Sequence, residues 1–257
     1  MMWNNIDTGS YEGMIAETVT LRGFNGDSIN AYYSRPLGPG PFPGIVLIPH
    51  MPGWDEWERE TARRFTQHGY SVVCPDIYAR DGTGNPAVIA KKALDEGRVH
   101  DDSVMGDTAG SLSFLKSQTN VNGKVGVIGM CAGGRHAFLA ACTIEGFDCA
   151  VNCWGGSVII SGPEEITLAR PVAPIDYVDN LNIPLLGIFG NDDPHPDREE
   201  VNRVEAVLKE RGKDYEFYRY DGAGHGIWYY DRPGMYRLEA AMDSWEKVFA
   251  FFEKNLR

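Results

Sequence analysis

The stretch best suited to chemistry is a cysteine set between glycines, Gly129-Met130-Cys131-Ala132-Gly133. A β-rich run, 124–128, precedes it, and a helix-compatible run, 136–142, follows it. This pattern is the G-x-C-x-G form of the nucleophile elbow, a sharp strand-to-helix turn that exposes its central side chain. The glycines relieve crowding, and the first helical turn offers N–H groups to negative charge. Cys131 is therefore predicted to be a reactive nucleophile.

A carboxylate and an imidazole follow later predicted strands. Asp192 comes after the apolar run 183–189, and His225 comes after the run 215–220. A thiol nucleophile needs a nearby base, and the base needs an acid that orients it. The order Cys131, Asp192, His225 matches the nucleophile–acid–histidine order of α/β-hydrolase triads.

The residue next to Asp192 is a second candidate for the acid. Asp192 is favoured, but Asp193 could serve instead, with the other residue capping the helix that begins near Asp197. The same loop, with Asp192, Asp193, His195 and Asp197, could also suggest a metal site. Its interspersed prolines favour a solvated loop over a metal site.

Two backbone N–H groups are expected to form the oxyanion hole. One belongs to Ala132, directly after the nucleophile, and the other to Met51, in the loop after the apolar run 44–48. His50 lies in the same loop. It could brace the loop or contact the thiol, and the sequence favours neither role.

The order of elements predicts an α/β fold. Segments 17–22 and 28–34 flank Asn25-Gly26-Asp27, which predicts an N-terminal antiparallel hairpin. From residue 44 onwards strands and helices alternate, which predicts a mostly parallel twisted sheet with helices on both faces. Sites in such sheets lie beyond the carboxyl ends of the strands, where the candidate residues fall. Residues 157–182 are expected to be irregular, and their role as a lid is left open.

Composition limits the classes of function. The 257 residues are 43% hydrophobic, which suits one large α/β domain over 1–257 with a substantial core, although length alone would also allow two domains. The formal net charge of −12 opposes binding to nucleic acid or to an anionic membrane. Residues 1–11 are polar and mixed, and no window approaches the roughly 18 apolar residues of a membrane span. The five cysteines form no C-x-x-C pattern, which favours free thiols and a cytoplasmic location. A monomer or small homo-oligomer is expected.

With these residues in view, the chain resembles the dienelactone hydrolase (carboxymethylenebutenolidase-like) family of α/β-hydrolases over about residues 15–255. The segments that carry the resemblance are Arg59-Glu60-Thr61, Gly69-Tyr70, 73–80, Gly123-Lys124-Val125-Gly126, the cysteine elbow and Ala223-Gly224-His225. The resemblance implies a Cys131–His225–Asp192 triad that opens lactones or cleaves activated esters through a thioacyl-enzyme. It implies a small-molecule substrate, no cofactor and no metal.

The chain departs from the family pattern at two places. Family members carry a glutamate in the loop after the first buried strand, where this chain has His50. They also use arginines to bind the substrate carboxylate, one of them shortly after the catalytic histidine. Here residues 226–230 contain no arginine, and the first one is Arg232. The other family arginine belongs to the segment after Arg80, for which Arg98 is a candidate counterpart.

Several aromatic residues also follow predicted strands, namely Trp54, Trp57, Tyr78, Trp154 and Trp228. They could line an apolar pocket, although aromatic side chains often belong to the core. The candidates for substrate binding are His50, Trp54, Tyr78, Arg80, Arg98, Trp154 and Trp228.

Two alternative functions are carried forward. One is a carboxylesterase for a bulkier, uncharged or aromatic ester. The other is a non-enzymatic redox-sensing thiol protein, in which Cys142 or Cys153 would resolve an oxidised Cys131. The second leaves Asp192 and His225 without a role, and turnover of an ester separates it from the hydrolases.

Overall fold

The computed structural model describes residues 13–160, 162 and 165–257. The polar N-terminal stretch 1–11 lies outside the described residues, as do residues 161, 163 and 164 of the segment considered as a lid. In the described part of that segment, a 3-10 helix spans Pro174–Asn180. Within the described ranges, no helix has the length and apolar character to cross a membrane.

The described residues form one sheet of eight strands in the order β1-β2-β4-β3-β5-β6-β7-β8. The β1–β2 and β2–β4 pairs are antiparallel, and every later pair is parallel. The predicted α/β class, with a mostly parallel sheet and an antiparallel N-terminal hairpin, is confirmed. The strands are β1 Met14–Arg22, β2 Ser28–Pro36, β3 Phe42–Ile48, β4 Ser71–Pro75, β5 Val121–Met130, β6 Cys149–Cys153, β7 Leu185–Gly190 and β8 Tyr215–Tyr220.

Side-chain caps begin three of the helices. Asp55 accepts the Glu58 N–H at the start of α1, and Asn85 accepts the Ala87 N–H at the start of α2. Asp197 itself caps α5, at 2.7 Å from the Glu200 N–H, so neither Asp192 nor Asp193 is needed as a cap. The helices are α1 Glu56–Gln67, α2 Pro86–Asp95, α3 Asp101–Ser117, α4 Ala132–Thr143, α5 Arg198–Glu210 and α6 Leu238–Leu256.

The core occupies both faces of the sheet. In β3, Val46 and Ile48 join one hydrophobic cluster, whereas Ile45 and Leu47 join another, as the two-residue period of a strand requires. Helices α3, α4 and α5 contribute to the first cluster, and α1 and α6 contribute to the second. The continuous apolar run of β3 is therefore explained by burial on both faces.

A buried ion cluster ties the beginning of α3 to the beginning of α4. The Arg135 guanidinium donates to both oxygens of Asp101, at 2.6 and 2.8 Å, and His136 Nε2 lies 3.2 Å from Asp101 Oδ1. Burial raises the pKa of Asp101, but the hydrogen bonds from His136 and Arg135 outweigh it and leave that pKa below its ordinary value. Asp101 is therefore ionised, and the cluster braces the first turn of α4.

Replacing Asp101 with asparagine should destabilise the fold by about 3 to 5 kcal/mol at neutral pH, because it leaves the buried Arg135 charge without its partner. Since the folded-state pKa of Asp101 is lowered, this difference should be full above the ordinary aspartate pKa and should shrink in acid. Urea denaturation of wild type and Asp101→Asn at several pH values measures it.

The matched control is Asp95→Asn, which breaks an exposed ion pair with Lys91 on α2. It should change the free energy of unfolding by less than about 1 kcal/mol. Equal effects of the Asp101 and Asp95 substitutions would contradict the bracing role of the buried cluster.

Candidate active site

Cys131 occupies the turn between β5 and α4. Its backbone has φ 56° and ψ −123°, a conformation that residues other than glycine rarely adopt. Hydrogen bonds hold it on both sides. The Cys131 N–H donates to the Cys153 carbonyl at 3.0 Å, and the Cys131 carbonyl accepts from Gly134 and Arg135. Strain that is fixed in this way is typical of functional sites.

The two glycines of the elbow are required by close backbone contacts. A Cβ on Gly129 would overlap the Gly133 carbonyl, and a Cβ on Gly133 would overlap the Ile48 carbonyl at the end of β3. Side chains at these positions would push apart β3, β5 and the first turn of α4. The sequence-based explanation of the glycines therefore matches the geometry.

His225 lies against Cys131 and is oriented by Asp193. Its Nδ1 is 2.8 Å from Asp193 Oδ2, and its side chain also hydrogen-bonds Cys131. The second Asp193 oxygen accepts the His195 N–H at 2.8 Å. Both oxygens of this buried carboxylate are therefore engaged, which fixes its direction toward the imidazole.

The favoured acid, Asp192, is wrong: the structure places Asp193 in that position. The Asp193 N–H donates to the Gly190 carbonyl, and the Asp192 N–H donates to the Ala223 carbonyl. The resulting turn after β7 buries the Asp193 side chain and leaves Asp192 exposed. A choice between adjacent residues depends on this turn, which composition alone does not reveal.

The site favours a charged His225. Burial lowers the pKa of His225, but the hydrogen bonds with Asp193 and Cys131 outweigh it and raise that pKa to about 10. At neutral pH the imidazole is therefore protonated beside the Cys131 sulfur. An adjacent imidazolium stabilises a thiolate, which is the reactive form of cysteine.

The two expected oxyanion donors lie on segments that pack together. Ala132 is the first residue of α4, so its N–H has no acceptor within the helix. Within the described ranges, the Met51 N–H also meets no acceptor. The two segments meet because Gly133 packs against the carbonyls of Ile48 and Pro49.

The Met51 loop is braced from two directions. Tyr78 Oη donates to the Met51 carbonyl at 2.6 Å, and the Gly53 N–H donates to the His50 carbonyl at 2.8 Å. His50 is fully buried, stacks on Trp57 and has its Nδ1 2.8 Å from Tyr229 Oη. Of the two roles considered for His50, its side-chain contacts match the bracing one.

The aromatic candidates separate into cavity and core. Trp54 and Tyr78 line a cavity of about 260 Å³ next to the Met51 loop. Trp154 and Trp228 are core residues instead, 0% and 1% exposed, and Trp228 donates to Ser244. The assignment of Trp154 and Trp228 to substrate contact is therefore corrected, because their indole rings pack inside the fold.

Both candidate arginines are engaged by carboxylates. Arg80 donates to Asp107 and Asp27, and Arg98 forms ion pairs with Asp81 and Glu96. These ion pairs already engage both guanidinium groups, and the substrate-binding role of the two arginines stays a prediction.

Arg170 is a cation that no motif or periodicity of the sequence indicated. It lines a separate cavity of about 340 Å³ together with Arg135. None of the described carboxylates lies within ion-pair distance of its guanidinium. Arg170 comes from the irregular segment, where no periodicity or motif indicates which side chains face a cavity.

The comparisons with known proteins bear on this arrangement. The model of the dienelactone hydrolase family matches residues 29–256. The chain belongs to the dienelactone hydrolase family. The solved structure of a putative dienelactone hydrolase from Klebsiella pneumoniae superposes with a TM-score of 0.84 at 26% identity. The superposition covers 94% of this chain and 99% of the Klebsiella chain, which confirms the α/β-hydrolase fold.

Two relatives of this dienelactone hydrolase family member carry names that describe an activity. "Putative carboxymethylenebutenolidase" from Methylorubrum extorquens is 29% identical over 94% of this chain and 82% of its own length. "Probable 2-oxo-3-(5-oxofuran-2-ylidene)propanoate lactonase" from a Bradyrhizobium species is 26% identical over 95% and 98%. The chain is an enzyme that hydrolyses carboxylic esters or lactones. Among the described residues, no group of His, Cys, Asp and Glu is placed to hold a metal ion.

Replacing Asp193 with asparagine should lower kcat/KM for an aryl ester by at least about 100-fold, because the imidazole loses the charge that orients and stabilises it. Asp192→Asn is the matched control, one residue away and exposed, and should stay within about twofold of wild type. Steady-state hydrolysis of p-nitrophenyl acetate measures both. A larger loss in Asp192→Asn than in Asp193→Asn would contradict the assignment of the acid.

Proposed function

We propose that this enzyme uses the Cys131 thiolate to open lactones or cleave activated carboxylic esters through a thioacyl-enzyme. The observation that carries the proposal is the chain of contacts from Cys131 to His225 and from His225 to Asp193. A nucleophile, a base and an orienting acid in sequence satisfy the requirements of covalent acyl transfer.

Acylation begins with the thiolate–imidazolium pair. The Cys131 sulfur attacks the ester carbonyl, and the Ala132 and Met51 N–H groups donate to the oxygen that becomes negative. The tetrahedral intermediate then collapses with cleavage of the C–O bond. The leaving alkoxide takes a proton from His225, which leaves a thioester on Cys131 and a neutral imidazole.

Deacylation reverses the roles. Neutral His225 takes a proton from water, and the hydroxide adds to the thioester carbonyl at the same donors. Cleavage of the C–S bond releases the carboxylic acid and restores the thiolate beside the imidazolium. Asp193 stabilises the charged imidazole in both half-reactions without itself changing protonation. No cofactor enters this sequence.

The substrate class follows from the nucleophile and from the relatives. A thiolate leaves more readily than an amine, so without a strong acid for the leaving group it favours esters and lactones over amides. The names of the relatives from Methylorubrum extorquens and Bradyrhizobium point to lactones.

A carboxylesterase for a bulkier, uncharged ester is the second candidate function. The family resemblance implies an arginine for a substrate carboxylate in the segment after His225, where this chain has the neutral Tyr229. The absence of an arginine from residues 226–230 favours an uncharged ester. A panel of carboxylate-bearing lactones and neutral aryl esters separates the two candidates. Higher kcat/KM for the lactone acids supports the first, and higher kcat/KM for the neutral esters supports the second.

Redox sensing is disfavoured by the surroundings of the other thiols. Burial raises the pKa of Cys142 to about 12 and holds the pKa of Cys153 well above its ordinary value. Both side chains are almost fully buried. A resolving cysteine has to be accessible and ionisable, and neither thiol meets these conditions.

Replacing Cys131 with alanine should abolish turnover of p-nitrophenyl acetate, with a fall in kcat of at least about 1,000-fold, because no other described thiol can accept the acyl group. Cys142→Ala removes a buried thiol from the same helix region and should keep most of the activity. Circular dichroism and thermal unfolding confirm that both variants fold. Full turnover by a folded Cys131→Ala variant would show that the proposed mechanism is wrong.

A further inference from the structure

His50 and Tyr229 join two loops that the proposed reaction uses separately. His50 lies next to Met51, whose N–H is an expected oxyanion donor. Tyr229 lies four residues after His225, in a tight turn where its N–H donates to the Gly226 carbonyl at 2.9 Å. The 2.8 Å contact between His50 Nδ1 and Tyr229 Oη therefore links the oxyanion loop directly to the segment that carries the base.

A carboxylate on the other side of His50 sets its tautomer. Asp55 Oδ2 lies 3.1 Å from His50 Nε2, an ion-pair contact that is not aligned as a hydrogen bond. Burial raises the pKa of Asp55, but His50 outweighs it and leaves that pKa below its ordinary value. An ionised Asp55 favours the proton on Nε2. We assign Nδ1 as the acceptor of the Tyr229 hydroxyl on this basis.

Glu58 completes the polar surroundings of His50. Its carboxyl lies 3.8 Å from Nε2 and is fully buried. Burial, followed by the Asp55 charge, raises the pKa of Glu58 well above its ordinary value, which favours its protonated form. Asp55 is therefore the anionic partner that orients His50.

Tyr229 stays a hydrogen-bond donor under these conditions. Burial, followed by the charge of Cys131, raises the pKa of Tyr229 well above its ordinary value. The hydroxyl is therefore neutral, and its ring is fixed edge-on against Trp57 at 4.5 Å between centroids. A rigid donor faces a rigid acceptor, and the side chains themselves are 2% and 0% exposed.

The Met51 N–H depends on such outside contacts. The Met51 side chain is 48% exposed, so it does not anchor its own backbone. The loop is held through its carbonyl by Tyr78 and through its neighbour His50 by Tyr229. Displacement of a catalytic donor by about 1 Å can lower a rate by as much as 100-fold.

We propose that the Tyr229–His50 hydrogen bond is a positioning contact that holds the Met51 N–H against the oxyanion, with Asp55 fixing the His50 tautomer that the bond requires. The inference rests on the proposed thioacyl mechanism. It also unites the two departures from the family pattern, since the histidine in place of the glutamate and the tyrosine in the segment without arginine contact each other.

The experiment distinguishes an effect on the oxyanion hole from an effect on the reactivity of the thiol. Ester hydrolysis needs an oxyanion, whereas alkylation of Cys131 by iodoacetamide forms none. Tyr229→Phe removes only the hydroxyl. It should lower kcat for p-nitrophenyl acetate by about 10- to 100-fold, with KM and the alkylation rate constant within about twofold of wild type. Tyr230→Phe, at the exposed neighbouring residue, is the control and should change none of the three.

Variants of His50 provide an independent series. His50→Asn places an amide oxygen near the position of Nδ1 and can still accept from Tyr229, whereas His50→Leu cannot. The kcat of His50→Asn should therefore exceed that of His50→Leu, and the two should show similar alkylation rates. Thermal unfolding identifies variants that retain the fold, and Tyr229→Phe, which keeps the ring, decides the test if the His50 variants unfold.

Three outcomes would overturn the inference. Equal falls in kcat and in the alkylation rate would show that Tyr229 acts on the reactivity of the thiol. A rise in KM alone would show that it acts on substrate binding. An unchanged kcat would show that the hydrogen bond has no role in the reaction. Absence of Cys131-dependent hydrolysis in the wild-type enzyme would instead overturn the proposed function, and this inference with it.

Discussion

The site depends on one backbone constraint, the strained turn that holds Cys131 between β5 and α4. Its positive φ is stabilised by hydrogen bonds to Cys153 and to the first turn of α4. The glycines on either side let β3, β5 and α4 approach so closely that no Cβ fits between them. Because of this approach, the turn presents Cys131 at the end of β5 and brings the start of α4 against the end of β3, where the loop with Met51 begins. The other loops at this edge of the sheet contribute side chains to the site.

Two carboxylate–imidazole pairs lie at that edge, and the proposed mechanism gives them different roles. Asp193 holds His225 charged beside the sulfur, where proton transfer is needed. Asp55 holds His50 in the fully buried interior, where the imidazole contacts the Tyr229 hydroxyl. In the proposed mechanism the first pair serves proton transfer and the second serves positioning, because His225 hydrogen-bonds Cys131 whereas His50 contacts Tyr229.

The sequence predicted those features that local pattern determines. Cys131 and His225 are indicated because each follows a strand and lies among glycines, and the mostly parallel sheet is indicated by the alternation of strands and helices. The acid was assigned one residue away, since the turn after Gly190 decides which aspartate is buried. The roles of Arg80, Arg98 and His50 depend on partners far along the chain, such as Asp107 and Tyr229, and no local pattern encodes such contacts.

The most direct test of the central claim is to trap the acyl group. The enzyme is mixed with p-nitrophenyl acetate, quenched in acid during turnover and examined by intact-protein and peptide mass spectrometry. The account predicts one acetyl group per chain, located on the peptide that contains Cys131 and released by hydroxylamine as a thioester is. Turnover with no acetyl group on Cys131, or with the acetyl group on another residue, would contradict it.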